Sequence, residues 1–425
     1  MTKQDDPSAS QTPATPPGPR SGHPRVPEQA PGGEPESSPG EPKGAPGGEP
    51  GDTAPLRVST LELFFDLVFA FTLTRLTTLL ARHLSVTGAI QVVLVFGVLW
   101  WMYGAYAWLT NTRTPDRTPE RLLLLLGMAG FLVAGLAIPE GSGPTGSASG
   151  VALGLGYLLV VVVHSVLYYR VNRNILRVTP FNVTSALLVI GAGLTGGVAA
   201  YLLWAAALAI QVLSPLIVHP GGRFYIQPAH FVERHGALVI VALGESVAAL
   251  GIAAAAHGVT FAVALTAVLG LALSASLWWV YFGGGDDERA ERAMTAAEPT
   301  ARPGLALAGY FYAHIPMLLG VVVMAAGVKL TIGHAAQPHP AAAIALACGV
   351  ALFLGGDAWF RRVLRIGRAR PRAVAAVAAL ATAALGATVA VEAQMAVLVA
   401  GIAAMLCAEH YRARRAGPLP QHAGE

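Results

Sequence analysis

From residue 59 almost to its C-terminus the sequence is a succession of apolar runs, many of them 17 to 25 residues long, separated by short segments rich in Arg, Pro and Gly. A helix needs about 20 residues to cross a hydrocarbon layer roughly 30 Å thick, so runs of this length confine the chain to a bilayer or to a very large buried core. Only 12% of the residues are charged, against roughly 25% in soluble domains, which removes the second option. In lipid the backbone has no partner but itself, and helices satisfy it locally. The expected fold is therefore an all-α polytopic membrane protein. Twelve spans are predicted, near 59–81, 88–110, 121–138, 150–169, 178–199, 201–218, 229–253, 258–282, 304–328, 341–360, 373–391 and 393–410.

Residues 1–55 are different. They hold 14 Pro, 9 Gly and 12 charged residues but no Leu, Ile or aromatic side chain, too little apolar surface to offset chain entropy, and read as a disordered tail. Because this polar stretch precedes the first apolar run, no cleavable signal peptide is expected, and the first span serves as its own targeting signal. Residues 413–425 form a short second tail. Placing the N-terminus in the cytoplasm puts 20 arginines in inside segments and only Arg82 and Lys329 outside. That bias follows the positive-inside rule, predicts both termini on the cytoplasmic side of the membrane, and requires an even number of spans. The net charge of +4 comes from these loop arginines, not from a soluble basic face, so nucleic acid is not an expected partner. Cys348 and Cys407 both lie inside apolar runs, which argues for neither a disulfide framework nor a cysteine metal site. The bilayer is the expected partner; the sequence sets no oligomeric state.

Three landmarks recur in the same order. A carboxylate opens the first and seventh spans (Glu62, Glu233), Trp100-Trp101-Met-Tyr103 is echoed by Trp278-Trp279-Val-Tyr281, and Tyr168-Tyr169-Arg170 by Trp359-Phe360-Arg361. The offsets are 171, 178 and 191 residues. They predict two six-helix repeats, 56–220 and 221–412, entering the membrane in the same sense and related by an axis along its normal. The segments LELFFDLVFAFTLTRL, WWMYGAYAWLTN, HFVERHGALVIVALGES and LWWVYF, in that order, resemble the bacterial low temperature requirement protein A family from Val58 to the last span. The resemblance implies a multi-pass bacterial membrane protein linked to growth in the cold, and carries no established activity. Arg75 stands where the resemblance leads one to expect a neutral polar residue such as Gln.

Ionisable residues inside apolar runs are costly, about 2.5–3.5 kcal/mol for Asp or Arg at a helix centre, and so mark function by default. Glu62 and Asp66 are four residues apart and share a helix face. Arg75 lies about 13 Å deeper on the opposite face, and Glu245 about 18 Å beyond Glu233. His230, Glu233 and Arg234 cluster within one turn. If the first and seventh helices face each other, Arg234 neutralises Glu62 or Asp66, and Arg75 sits near Glu245. Gly244 beside Glu245 leaves room for a substrate, water or a neighbouring helix to approach that carboxylate. The bland reading makes all of these structural ion pairs. Trp101, Asn111, Trp279, His314 and Asp357 are secondary candidates. The tryptophan and tyrosine runs read mainly as interface belts, Asn111 as a cap or hinge, His314 as a hydrogen-bonded helix contact and Asp357 as a partner of Arg361.

No Walker loop, dinucleotide fingerprint or HExxH motif occurs, so no catalytic residue, cofactor or metal is indicated. Repeats and intramembrane charges together point to a secondary transporter or permease, proton-coupled, moving a small molecule or ion. The alternative is a membrane-embedded enzyme or a stress-response scaffold acting on lipid or a protein partner.

Overall fold

Each apolar run becomes a helix, and the polar residues between runs decide where it begins. The computed structural model describes residues 58–113, 115–138, 147–217, 226–258, 260–332 and 337–415; the tail expected at 1–55 and most of that at 413–425 lie outside them. Among the described residues there is no strand. Six helices come first: α1 (Thr60–Arg82), α2 (Val86–Thr112), α3 (Thr118–Leu136), α4 (Ala148–Tyr169), α5 (Thr179–Leu194) and α6 (Gly197–Ile217). Then follow α7 (Pro228–His257), α8 (Phe261–Phe282), α9 (Asp286–Ala296), α10 (Arg302–Leu305), α11 (His314–Thr331), α12 (Pro340–Leu364), α13 (Arg370–Ala381), α14 (Ala383–Thr388) and α15 (Val391–Arg415). Ser59 opens α1 through a capping box with Glu62, and Ser85, Ser147 and Thr260 cap α2, α4 and α8. Side-chain oxygens there take up N–H groups that the first helical turn leaves orphaned. Prolines begin α7 and α12, where their missing N–H removes nothing.

Among the described residues eleven segments are long and apolar enough to cross a membrane. The expected span at 178–199 is the difference: α5 has 16 residues and ends before Thr195, giving about 24 Å of helix, short of a full crossing. The ninth and eleventh spans are interrupted. Between α10 and α11 the chain makes a π-helical turn, Ala306–Tyr312, because Pro316 cannot donate to the carbonyl four residues earlier. Around that turn the His314 ring reaches the Gly309 carbonyl at 3.0 Å, and the indole N–H of Trp100 donates to the Phe311 carbonyl at 3.2 Å. The eleventh breaks at Thr382, between α13 and α14.

In the N-terminal set α1 packs on α2 and α3, α3 on α4, α4 on α5, and α2 on α6. In the C-terminal set α7 packs on α8 and α11, α11 on α12, α12 on α13 and α14, and α8 on α15. In both sets two helices cross glycine to glycine at corresponding places in the packing order, and in the N-terminal set Gly150 and Gly193 also bring α4 against α5. A Cβ on Gly130 would lie 2.9 Å from the Gly156 carbonyl oxygen, and one on Gly320 would lie 2.6 Å from that of Gly349, so α3–α4 and α11–α12 approach as close as backbones can. The two sets meet where α1 contacts α7 and α11, and α2 contacts α7 and α11. Leu63, Phe64, Leu122, Leu194, Phe261 and Val377 are among many large apolar side chains left on the outer surface, as lipid-facing helices require.

Candidate functional site

The α1–α7 contact brings the sequence-predicted charges together. Glu62 and Asp66, one turn apart on α1, face Arg234 on α7, and all three are buried. Arg234 Nη1 donates to Glu62 Oε1 at 2.8 Å and Nη2 to Asp66 Oδ1 at 3.2 Å. The Thr110 hydroxyl of α2 also accepts from Arg234, and the guanidinium carbon lies 5.6 Å from the ring centres of both Phe65 and Tyr103, which adds cation–π attraction in a dry setting.

The two carboxylates are held differently. Glu62 accepts from the Ser59 backbone at 2.9 Å and the Ser59 hydroxyl at 2.8 Å as well as from Arg234, and lies 3.0 Å from His230 Nε2. Asp66 accepts at Oδ1 from the Tyr103 hydroxyl at 2.8 Å and from Arg234, while its buried Oδ2 has no hydrogen-bond partner. A saturated carboxylate tolerates full ionisation; a half-satisfied one in low dielectric does not. The His230 tautomer follows from the network. Asn111 Nδ2 donates to the Gln227 carbonyl at 3.0 Å and lies 3.2 Å from His230 Nδ1, so Nδ1 accepts and a neutral ring presents its Nε2–H to Glu62. Asn111 Oδ1 in turn accepts from the Gln227 N–H at 3.0 Å, and one side-chain amide thereby ties the end of α2 to the start of α7. The cap or hinge reading of Asn111 is corrected: it is a latch across the two sets.

Other expectations change. Glu233 is exposed and accepts from Val58 N at 3.3 Å; being next to Arg234 it points about 100° away around α7, outside the cluster. Arg75 does not pair with Glu245. Glu245 accepts from Thr74 at 2.7 Å, and Arg75 reaches the Ile138 carbonyl at 3.4 Å. Nothing lies within 4 Å of a Cβ on Gly244, so that glycine leaves open space and not a helix contact. The interface-belt reading fails for Trp100, Tyr103 and Tyr106, which are fully buried, and Trp101 packs edge-on against Phe311. Trp279 is 56% exposed. His314 is a buried contact, its Nε2 3.1 Å from the Tyr281 hydroxyl.

Asp357 belongs to a second cluster. Its closer partner is Arg372 Nη1, at 2.6 Å, with Arg361 Nε at 3.7 Å. Arg372 also donates to the Val280 carbonyl at 2.6 Å and pairs with Glu409 at 3.2 Å, while Asp286 pairs with Arg289 and Arg361. Three carboxylates meet three guanidiniums. Sequence reasoning counted Arg372 only as a loop charge and passed over Asp286. The available signal was that Asp357 and Glu409, inside apolar runs, require more cation than Arg361 supplies. Among the described residues no group of three or more His, Cys, Asp or Glu side chains is placed to hold a metal ion.

Fold and site define a polytopic helical membrane protein with an ion cluster buried between its N-terminal and C-terminal helices. The family described as bacterial low temperature requirement A protein (LtrA) matches residues 57–408, and the chain belongs to that family. It is also similar to an uncharacterized protein of Rhizobium meliloti (strain 1021), 28% identical over 330 residues, which covers 73% of this chain and 79% of that protein.

Proposed function

We propose that the protein is a proton-coupled secondary transporter of the cytoplasmic membrane, with both termini inside, built from two parallel six-helix repeats, and with its proton site at Glu62, Asp66, His230 and Arg234. The observation that carries this reading is charge imbalance. Two carboxylates share one guanidinium, His230 is neutral in the hydrogen-bond network, and all four side chains are buried. The ensemble keeps one unit of negative charge unless it holds a proton, and an uncompensated buried charge is worth several kcal/mol. Asp66, with its unpartnered Oδ2, is the economical place for that proton. Because the cluster is shared by α1, α2 and α7, gaining or losing the proton changes the attraction between the two sets, which is what coupling to alternating access requires. The matched packing orders and the paired glycine crossings support the duplication, and the family's description names a low temperature requirement.

The test uses the full chain in proteoliposomes enclosing a pH-sensitive dye, exposed to a panel of amino acids, organic cations and organic anions. The reading predicts solute-dependent proton movement with at least one panel member, abolished in Asp66→Asn protein that folds normally. Proton movement unchanged in Asp66→Asn, or absent with every solute, contradicts it.

A further inference from the structure

Arg289, Arg361, Arg372 and Glu409 of the second ion cluster line the inner wall of a cavity of about 1270 Å³ between the end of α8, the start of α13 and the last turns of α15. That exceeds the roughly 300–1,000 Å³ of ordinary small-molecule pockets. The charges of Arg289, Arg361 and Arg372 are matched by Glu409 on that wall and by Asp286 and Asp357 packed against the same guanidiniums. The rim carries three more arginines: Arg368, Arg412 and Arg414 line the cavity, are exposed, and have no carboxylate partner among the described residues. Away from the rim the cavity continues along small and apolar side chains of α8 and α15, Ala275, Ala403 and Leu406 among them. An inorganic anion has no use for such a slot, and a neutral lipid has no use for surplus arginines. The pair of features complements an anionic head joined to a hydrocarbon chain.

We propose that this cavity binds an acidic phospholipid, its phosphate held at Arg368, Arg412 and Arg414 and an acyl chain laid between α8 and α15. The exposed Trp278 and Trp279 of α8 mark this end as interfacial, the depth at which a phosphate sits. The site is independent of the proton cluster. Its test is native mass spectrometry of the delipidated full chain in a neutral detergent, titrated with phosphatidylglycerol, phosphatidylcholine or glycerol 3-phosphate. Phosphatidylglycerol is expected to give a bound species at concentrations where phosphatidylcholine gives none. Combined Arg368→Gln, Arg412→Gln and Arg414→Gln substitution should weaken that binding at least tenfold, and so should Ala403→Trp, which fills the slot without touching a charge. Equal binding of the two lipids, retention of phosphatidylglycerol by either variant, or its displacement by equimolar glycerol 3-phosphate overturns the proposal.

Discussion

The two buried ion clusters use the same residue types and differ in arithmetic. At the α1–α7 contact two carboxylates face one guanidinium, in a place sealed by Phe65, Tyr103 and Thr110. Among α9, α12, α13 and α15 three carboxylates face three guanidiniums, beside a wide cavity. A balanced cluster holds helices in place and has no need of a proton. An unbalanced one of equal burial is neutral only with a proton bound, and so can report protonation. Under the function proposed above, the difference gives Arg372 a structural role and Asp66 a switching role, although both are ionisable groups within or beside apolar helices.

Removing the shared cation should have the largest effect in either place. Arg234→Gln leaves Glu62 and Asp66 uncompensated, Arg372→Gln leaves Asp357 with only the more distant Arg361 at 3.7 Å, and each should lower stability by about 3–5 kcal/mol in denaturation measured in detergent. If Arg372→Gln proved mild, the balanced cluster would not be the strut described here. Next in size is the latch. Asn111→Ala leaves the Gln227 N–H without its acceptor and the Gln227 carbonyl with only the Phe231 N–H and should destabilise by about 1–3 kcal/mol in denaturation measured in detergent. A smaller contrast separates the twin tryptophan motifs: Trp100→Phe loses a buried hydrogen bond to Phe311 and should cost about 1 kcal/mol, whereas Trp278→Phe should stay within about 0.5 kcal/mol. Smallest of all is Asp66→Asn, a neutral isostere of the proton-bound form. Its stability should match wild type and lose any pH dependence arising from the cluster, read by thermal unfolding across a pH series.

Hydropathy made the helices legible because lipid-crossing segments must be long and apolar, and the twelve predicted spans lie on the helices observed, apart from the short α5 and the breaks within the ninth and eleventh. The pairing of Glu62 and Asp66 with Arg234 was legible for a related reason: charges within apolar runs require partners, and few are available. Periodicity alone could not choose among neighbours on a helix. Glu233 and Arg234 are adjacent, yet one is exposed and the other buried. The motifs Trp100-Trp101-Met-Tyr103 and Trp278-Trp279-Val-Tyr281 are nearly the same, but Trp100 is 1% exposed and Trp278 40%. The reason is tertiary: α2 runs along α7 and α11 of the other set, and Trp100 answers a carbonyl of the π-helical turn that Pro316 creates. The capping box Ser59–Glu62 and its consequence, a Glu62 carboxylate already saturated by donors, needed coordinates.

The central claim is that the α1–α7 cluster carries one exchangeable proton. Infrared difference spectroscopy of the full chain in bilayers, stepped through pH in deuterated buffer, reads this directly. A carboxylic acid band that appears on acidification in wild-type and Arg372→Lys protein and is missing from Asp66→Asn is the predicted result. The same band with the same titration in Asp66→Asn would contradict the account.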